Sequence, residues 1–224
     1  MLKEKVEKVL KRIENGNNLG EKITLVGATK TISVDVINQA IEYGLNVVAE
    51  NKVQEFRDKT QLIRGASQHF IGHLQTNKVK YLVGNVDLIH SVDSIHLAEE
   101  INRQALKKGV IQDILIEINV GGELSKSGFS LQTAKENIDK IIADFPQVKI
   151  RGLMAMLPHS EDQTLLVDLF KAMRSLYDDL NKQGYSLTYL SMGMSSDYEL
   201  AIENGSNMIR LGRTIFGERI YGVN

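Results

Sequence analysis

Residues 23–33 read ITLVGATKTIS, and the turn inside this stretch decides between two folds. The apolar run ITLVGA, 23–28, reads as a buried strand of a parallel sheet. An open doubly wound sheet that binds a dinucleotide carries G-x-G-x-x-G immediately after such a strand. Here the turn is GATKTIS, 27–33, with a single glycine and a lysine, Lys30. Outward from it, apolar runs and helical periodicities alternate. A helix over 34–45 turns Ile37, Ala40 and Ile41 inward, and a strand follows at 46–50. A charged helix over 53–63 leads to a strand at 69–72, a helix over 76–83 and a strand at 87–91. Ser94 suits the N-cap of a helix over 94–108. Residues 113–120, DILIEINV, set Ile114, Ile116, Ile118 and Val120 on one face and Leu115, Glu117 and Asn119 on the other. Two buried polar groups on one strand need partners.

A helix over 131–142 and a strand at 148–154 come next. A long helix then aligns Leu165, Leu166, Leu169, Phe170, Met173, Leu176, Tyr177 and Leu180, and is followed by a strand at 186–191, a helix over 195–203 and a strand at 207–211. Before all of this, Leu2, Val6, Val9, Leu10 and Ile13 fall at the spacing of an amphipathic helix. Eight strands, each followed by a helix, with no proline- or glycine-rich linker, predict α/β structure of one kind: a single (β/α)8 TIM barrel with an extra N-terminal helix, one domain over 1–224.

Composition narrows the function. A net charge of −1 gives no basis for nucleic acid or an anionic membrane as partner. There is no cysteine, which removes disulfides, thiolate metal sites and cysteine nucleophiles and fits a reducing cytoplasm. The opening MLKEKVEKVLKRIENGNN is charged throughout, unlike a secretory signal. His69 and His73 are four apart, but on a strand and its loop, where that spacing does not converge on a metal. No metal site is expected. His73 is a candidate for the barrel mouth, whereas His90, His96 and His159 read as structural or surface residues.

Barrel enzymes work at the C-terminal ends of their strands and often hold phosphate after strands seven and eight. The segments there are SMGMSSD, 191–197, and RLGR, 210–213, whose main-chain amides and hydroxyls would cradle an anion; the alternative is that Gly193 and Gly212 only serve tight turns. GRTIFGER, 212–219, has the G-x4-G spacing of a phosphate loop but ends in Glu-Arg and follows the last strand instead of opening a helix within a sheet, so an ATPase reading fails. Lys30 at the end of an apolar strand would be partly desolvated, favouring the neutral amine that attacks an aldehyde; an exposed loop lysine is the other reading. Arg210 lies inside a strand, and its guanidinium needs a carboxylate such as Glu117, a ligand, or both.

Together, LVGATKT, ENKVQEF, HFIGHLQTNK, SVDS, ELSKSGF, RGLMAM, LSMGMSSDYELAI and IRLGRTIFGER, spread over 25–219, resemble the pyridoxal 5′-phosphate (PLP) homeostasis proteins, barrels like the N-terminal domain of alanine racemase. The resemblance implies PLP as cofactor and Lys30 as its imine-forming lysine. It sets Asn51 near the ring, Met192, Gly193, Met194 and Ser195 in the loop that contacts ring and phosphate, and Gly212 and Arg213 in the phosphate turn. Many relatives carry a small residue where Arg213 stands. Arg210 matches the arginine facing the pyridine nitrogen, whose fixed charge disfavours protonation there and weakens the ring as an electron sink.

The racemase relatives look like this barrel followed by a β-domain that supplies a tyrosine base to the partner subunit. The sequence runs only to Asn224, and Tyr43, Tyr81, Tyr177, Tyr185, Tyr189, Tyr198 and Tyr221 are scattered. The expectation is therefore a non-catalytic carrier of PLP in the cytoplasm, monomeric, passing cofactor to PLP-dependent apo-enzymes. Lys126 reads as a solvated loop lysine, with a part in release as the alternative. The competing functions are a weak fold-type III amino-acid racemase and a PLP-independent Schiff-base aldolase.

Overall fold

The computed structural model describes residues 1–123, 126–158 and 160–218. Helix α1 (Leu2–Ile13) precedes strand β1 (Thr24–Ala28), and the chain then alternates: α2 (Val34–Glu42), β2 (Val47–Glu50), α3 (Val53–Lys59), β3 (Ser67–Phe70), α4 (Val79–Leu82), β4 (Leu88–Val92), α5 (Ile95–Lys108), β5 (Gln112–Ile118), α6 (Ala134–Asp144), β6 (Val148–Ala155), α7 (Gln163–Lys182), β7 (Tyr189–Ser191), α8 (Tyr198–Glu203), β8 (Met208–Leu211) and α9 (Arg213–Phe216). The eight strands pair in parallel in chain order, and β8 closes onto β1 with Thr24 beside Met208 and Gly27 beside Leu211.

Closure follows from the side-chain period of two. On β5, Ile114, Ile116 and Ile118 point outward into the layer shared with the helices, packed with Phe70, Ile89, Ile101 and Phe170. Leu115 points inward, meeting Val26, Ala49, Leu88, Met154 and Met208. Each fully buried aliphatic side chain contributes about 1.5–3 kcal/mol by leaving water, so a one-residue slip of any strand would expose a row of them. Helix α1 packs over the β8–β1 seam: Val6, Val9 and Ile13 bury against Ile37, Ile202 and Ile215, and Arg12 Nε donates to Glu199 of α8 at 2.7 Å.

The order of elements is the one read from the sequence, but several boundaries move. The seventh strand begins at Tyr189, three residues later than read, because α7 captures the preceding backbone. Asn181 Oδ1 accepts from Leu187 N at 2.6 Å, Tyr177 donates its hydroxyl to the Leu187 carbonyl at 2.8 Å, and Ser186 takes φ 56°. The third strand ends at Phe70, leaving Ile71, Gly72 and His73 as loop at the barrel mouth. The segment after β8, the last strand, forms a four-residue helix, α9, which the sequence reading did not include. Its Arg219, like His159 and Tyr221, lies outside the described residues.

Candidate functional site

At the C-terminal ends of the strands a cavity of about 410 Å³ opens between β1, β2, β3, β8 and the loop after β7. Alternation carries Lys30 into it: Ala28 lines the cavity, Thr29 is fully buried on the outer side, and Lys30 returns to the cavity. Among the described residues its Nζ has no hydrogen-bond or ion-pair partner. Asn51 enters from the end of β2, and its buried Oδ1 has no partner either. Gly72 has to be glycine here. A Cβ on it would stand 2.0 Å from the Asn51 carbonyl oxygen, so the loops after β2 and β3 approach too closely for any side chain.

The opposite wall is built from the loops after β7 and β8. Gly193 adopts φ +96°, and a Cβ there would meet Ala201 Cβ at 2.6 Å, so glycine lets the chain turn from β7 back over α8. Asp197 Oδ1 accepts from Met194 N at 2.6 Å and Ser195 Oγ from Thr214 N at 3.3 Å, tying the two loops together. The main-chain N–H groups of Ser195, Ser196, Gly212 and Arg213 have no acceptor among the described residues, and all four residues line the cavity. Main-chain amides left without acceptors in residues that line one cavity suit an anion with several oxygens, such as a phosphate.

Arg210 forms the floor. Its Nη1 donates to the Ser191 carbonyl at 3.0 Å and to Ser191 Oγ at 2.7 Å, and Nη2 donates to the Ala155 carbonyl at 3.0 Å. Burial lowers its pKa to about 10. The guanidinium makes no ion pair among the described residues, so the alternative of a Glu117 partnership gives way to two main-chain carbonyls and the Ser191 hydroxyl. Glu117, only 6% exposed, is pushed up to about 7 by burial and by Asp93.

Of the residues singled out from the sequence, Lys30, Asn51, Met194, Ser195, Arg210, Gly212, Arg213 and His73 line this cavity. His73 is 66% exposed at the rim, its Nδ1 3.4 Å from Asp93. Met192 does not line it. Strand alternation turns Ser191 toward Arg210 and Met192 outward into the helix-facing core, where it is fully buried. Gly193 shapes the loop from behind the wall. Ser196 and Phe216 were missed: Ser196 is one of two adjacent serines, and Phe216 arrives on the unread helix α9. Lys126 lies apart, paired with Glu123 at 2.6 Å.

Beneath the floor, hydrogen bonds run through a histidine pair. Ser67 donates to Asp87 at 2.6 Å and therefore accepts from His69 Nε2 at 3.2 Å. His69 Nδ1 is then left to accept from His90 Nε2–H at 3.0 Å, and His90 Nδ1 has no partner. Burial holds His69 down at about 4 and His90 well below the usual imidazole range. Both are structural residues of the barrel interior, and His96 is on the surface.

The closed eight-stranded parallel barrel is that of the alanine racemase N-terminal domain class, and the family model for the N-terminal domain of alanine racemase matches residues 11–220. Alanine racemase from Clostridium difficile 630 shares the fold with TM-score 0.75 at 16% identity, over 97% of this chain and 60% of that one. Much nearer in sequence is the pyridoxal phosphate homeostasis protein of Aquifex aeolicus, 43% identical over 97% of this chain and 95% of its own length. That of Escherichia coli K12 is 34% identical over 90% of this chain and 88% of its own length. The chain belongs to the pyridoxal phosphate homeostasis protein family. A solved structure of PipY from Synechococcus elongatus, with PLP bound, superposes with TM-score 0.85 at 29% identity, covering 97% of this chain and all of that one.

Proposed function

We propose that residues 1–224 act as one unit that binds PLP in this cavity and serves vitamin B6 homeostasis as a carrier, monomeric and cytoplasmic, handing the cofactor to PLP-dependent apo-enzymes. The observation that carries the reading is the lining of one cavity by Lys30, whose amine has no partner among the described residues, and by Ser195, Ser196, Gly212 and Arg213, whose main-chain amides have no acceptor among them. The cavity volume falls within the usual range for small-molecule sites, roughly 300–1,000 Å³. Lys30 would hold the cofactor's aldehyde end through its amine, and the amides of Ser195, Ser196, Gly212 and Arg213 would hold the phosphate. Arg213 adds a side-chain charge near that cradle. Arg210 presents a fixed positive charge from the floor, and Asn51 Oδ1 offers an acceptor.

A bound PLP would supply an electrophilic aldehyde and, where a base is placed beside it, an electron sink. The lining favours holding over turnover. It contains neither a tyrosine nor a carboxylate among the described residues, and its titratable side chains are Lys30, His73, Arg210 and Arg213. Proton exchange at both faces of a substrate carbon needs a base on each side, and Lys30 has only the exposed His73 as a counterpart.

Borohydride reduction of the PLP-loaded protein followed by peptide mass spectrometry tests the assignment. The label is expected on Lys30, and Lys30→Ala should lose both the label and the yellow absorbance. A label on a different lysine would end the reading. Activation of an apo-enzyme by the loaded protein tests the carrier role, and loss of enantiomeric purity in alanine or serine would instead favour a racemase.

A further inference from the structure

A partly buried ionic triad lies just behind the wall that carries Lys30, and none of its members lines the cavity. Glu50, at the end of β2, is almost fully buried. Its Oε1 accepts from Lys59 Nζ at 2.7 Å and from Thr29 Oγ1 at 2.8 Å. Lys59 Nζ also donates to Glu55 Oε2 at 2.9 Å and to the Thr29 carbonyl at 3.2 Å. Glu55 Oε2 in turn accepts from Thr31 N at 2.8 Å. The residues on both sides of Lys30 are therefore fastened to a single ammonium group.

The two fastenings differ in kind. Thr29 is locked by its side chain and by its main chain: its N donates to the Ala49 carbonyl at 2.9 Å, and the single proton of its Oγ1 lies between Glu50 Oε1 at 2.8 Å and the Ala49 carbonyl at 3.1 Å. With Thr29 facing outward, the alternation of the chain leaves Lys30 facing the cavity. Thr31 takes φ 66°, the left-handed region that a β-branched residue avoids and that is kept only where surrounding contacts over-determine it. The carboxylate of Glu55 is such a contact. Glu50 is also the residue before Asn51, so the triad fixes the origin of a second cavity residue. A partly buried ion triad contributes little net stability compared with an apolar replacement, and its effect here is geometric.

We propose that Glu50, Lys59 and Glu55 are positioning residues for the cofactor lysine, clamping the backbone at Thr29 and Thr31 so that Nζ is held where an aldehyde on the opposite cradle can reach it. This rests on Lys30 being the PLP-bearing residue. A lysine released from its clamp should still be chemically competent but be aligned only part of the time, and misalignment of about 1 Å can cost up to 10²-fold in rate.

The test compares wild type with Glu55→Ala, Glu55→Gln and Lys59→Met in two measurements: the rate of imine formation with PLP, and the affinity for pyridoxine 5′-phosphate, which has the phosphate and ring but no aldehyde. Imine formation should slow by about tenfold or more in Glu55→Ala and Lys59→Met, with pyridoxine 5′-phosphate affinity changed by less than about twofold. Glu55→Gln, whose amide oxygen still accepts from Thr31 N, should recover most of the rate. Glu55 is partly exposed, so its variants remain foldable if Lys59→Met is not. Unchanged imine rates in Glu55→Ala, or parallel losses of rate and pyridoxine 5′-phosphate affinity, would overturn the positioning role while leaving the cofactor site intact. Labelling of a lysine other than Lys30 in reduced wild type would remove the cofactor assignment itself, and this proposal with it.

Discussion

Ser191 Oγ stands 2.7 Å from Arg210 Nη1 across the β7–β8 seam, and the Ser191 carbonyl takes a second hydrogen bond from the same nitrogen. One residue thus supplies two of the three acceptors that keep a buried guanidinium satisfied. Ser191→Ala removes one of them and should lower the unfolding free energy by about 1–3 kcal/mol, measured by urea denaturation. Arg210→Gln should retain the Lys30-linked cofactor but shift its absorbance, because the fixed charge at the cavity floor is gone; an unchanged spectrum would place the guanidinium away from the ring.

The histidine pair gives stability an acid limb. His69 is held at about 4 in the folded protein, against about 6.5 when unfolded, because burial disfavours its cation. Above pH 6.5 the ring is neutral in both states and contributes no pH dependence. As pH falls from 6.5 toward 4 the unfolded chain takes up a proton that the folded one refuses, so up to about 3 kcal/mol of stability is lost. Denaturation curves for His69→Gln should show a flatter decline over this window than wild type.

Glu117 has the opposite sign. Its folded pKa is raised to about 7 by burial first and Asp93 second. The contribution is fully present below the unfolded carboxyl pKa of about 4.3 and is lost as pH rises through 7, on the order of 3 kcal/mol in all. Glu117→Gln should therefore be more stable than wild type at pH 8 and nearly equal to it at pH 4.5. Equal stability at pH 8 would mean that the carboxylate is compensated in the folded state.

Gly72→Ala should damage the site more than the fold. The added Cβ would lie 2.0 Å from the Asn51 carbonyl oxygen, so the loop after β2 must retreat and carry Asn51 out of the cavity. Loss of pyridoxine 5′-phosphate affinity, with only a modest fall in melting temperature, is the expected result; unchanged affinity would show that the loop yields without moving the site.

Periodicity read the alternating strands and helices, because burial of alternate residues such as Ile114 and Leu115 writes a period of two into the chain and amphipathic helices write 3.6, and the turn GATKTIS then favoured the barrel over an open sheet. Lys30, Arg210 and the glycine loops were also legible, since a lysine after an apolar strand, an arginine within one and glycines at strand ends are locally anomalous. The sequence by itself therefore determined the strand count, the absence of a dinucleotide turn and the place of Lys30 at the end of the first strand. Tertiary structure alone decided which groups satisfy Arg210, on which side of the wall Met192 lies, and that Lys59 holds the Thr29 carbonyl directly and the Thr31 amide through Glu55. Those outcomes depend on distances between residues 19 to 55 positions apart in the chain. Hydrogen bonds act over about 3 Å, and no local pattern records which distant atoms the closing of a barrel will bring that near.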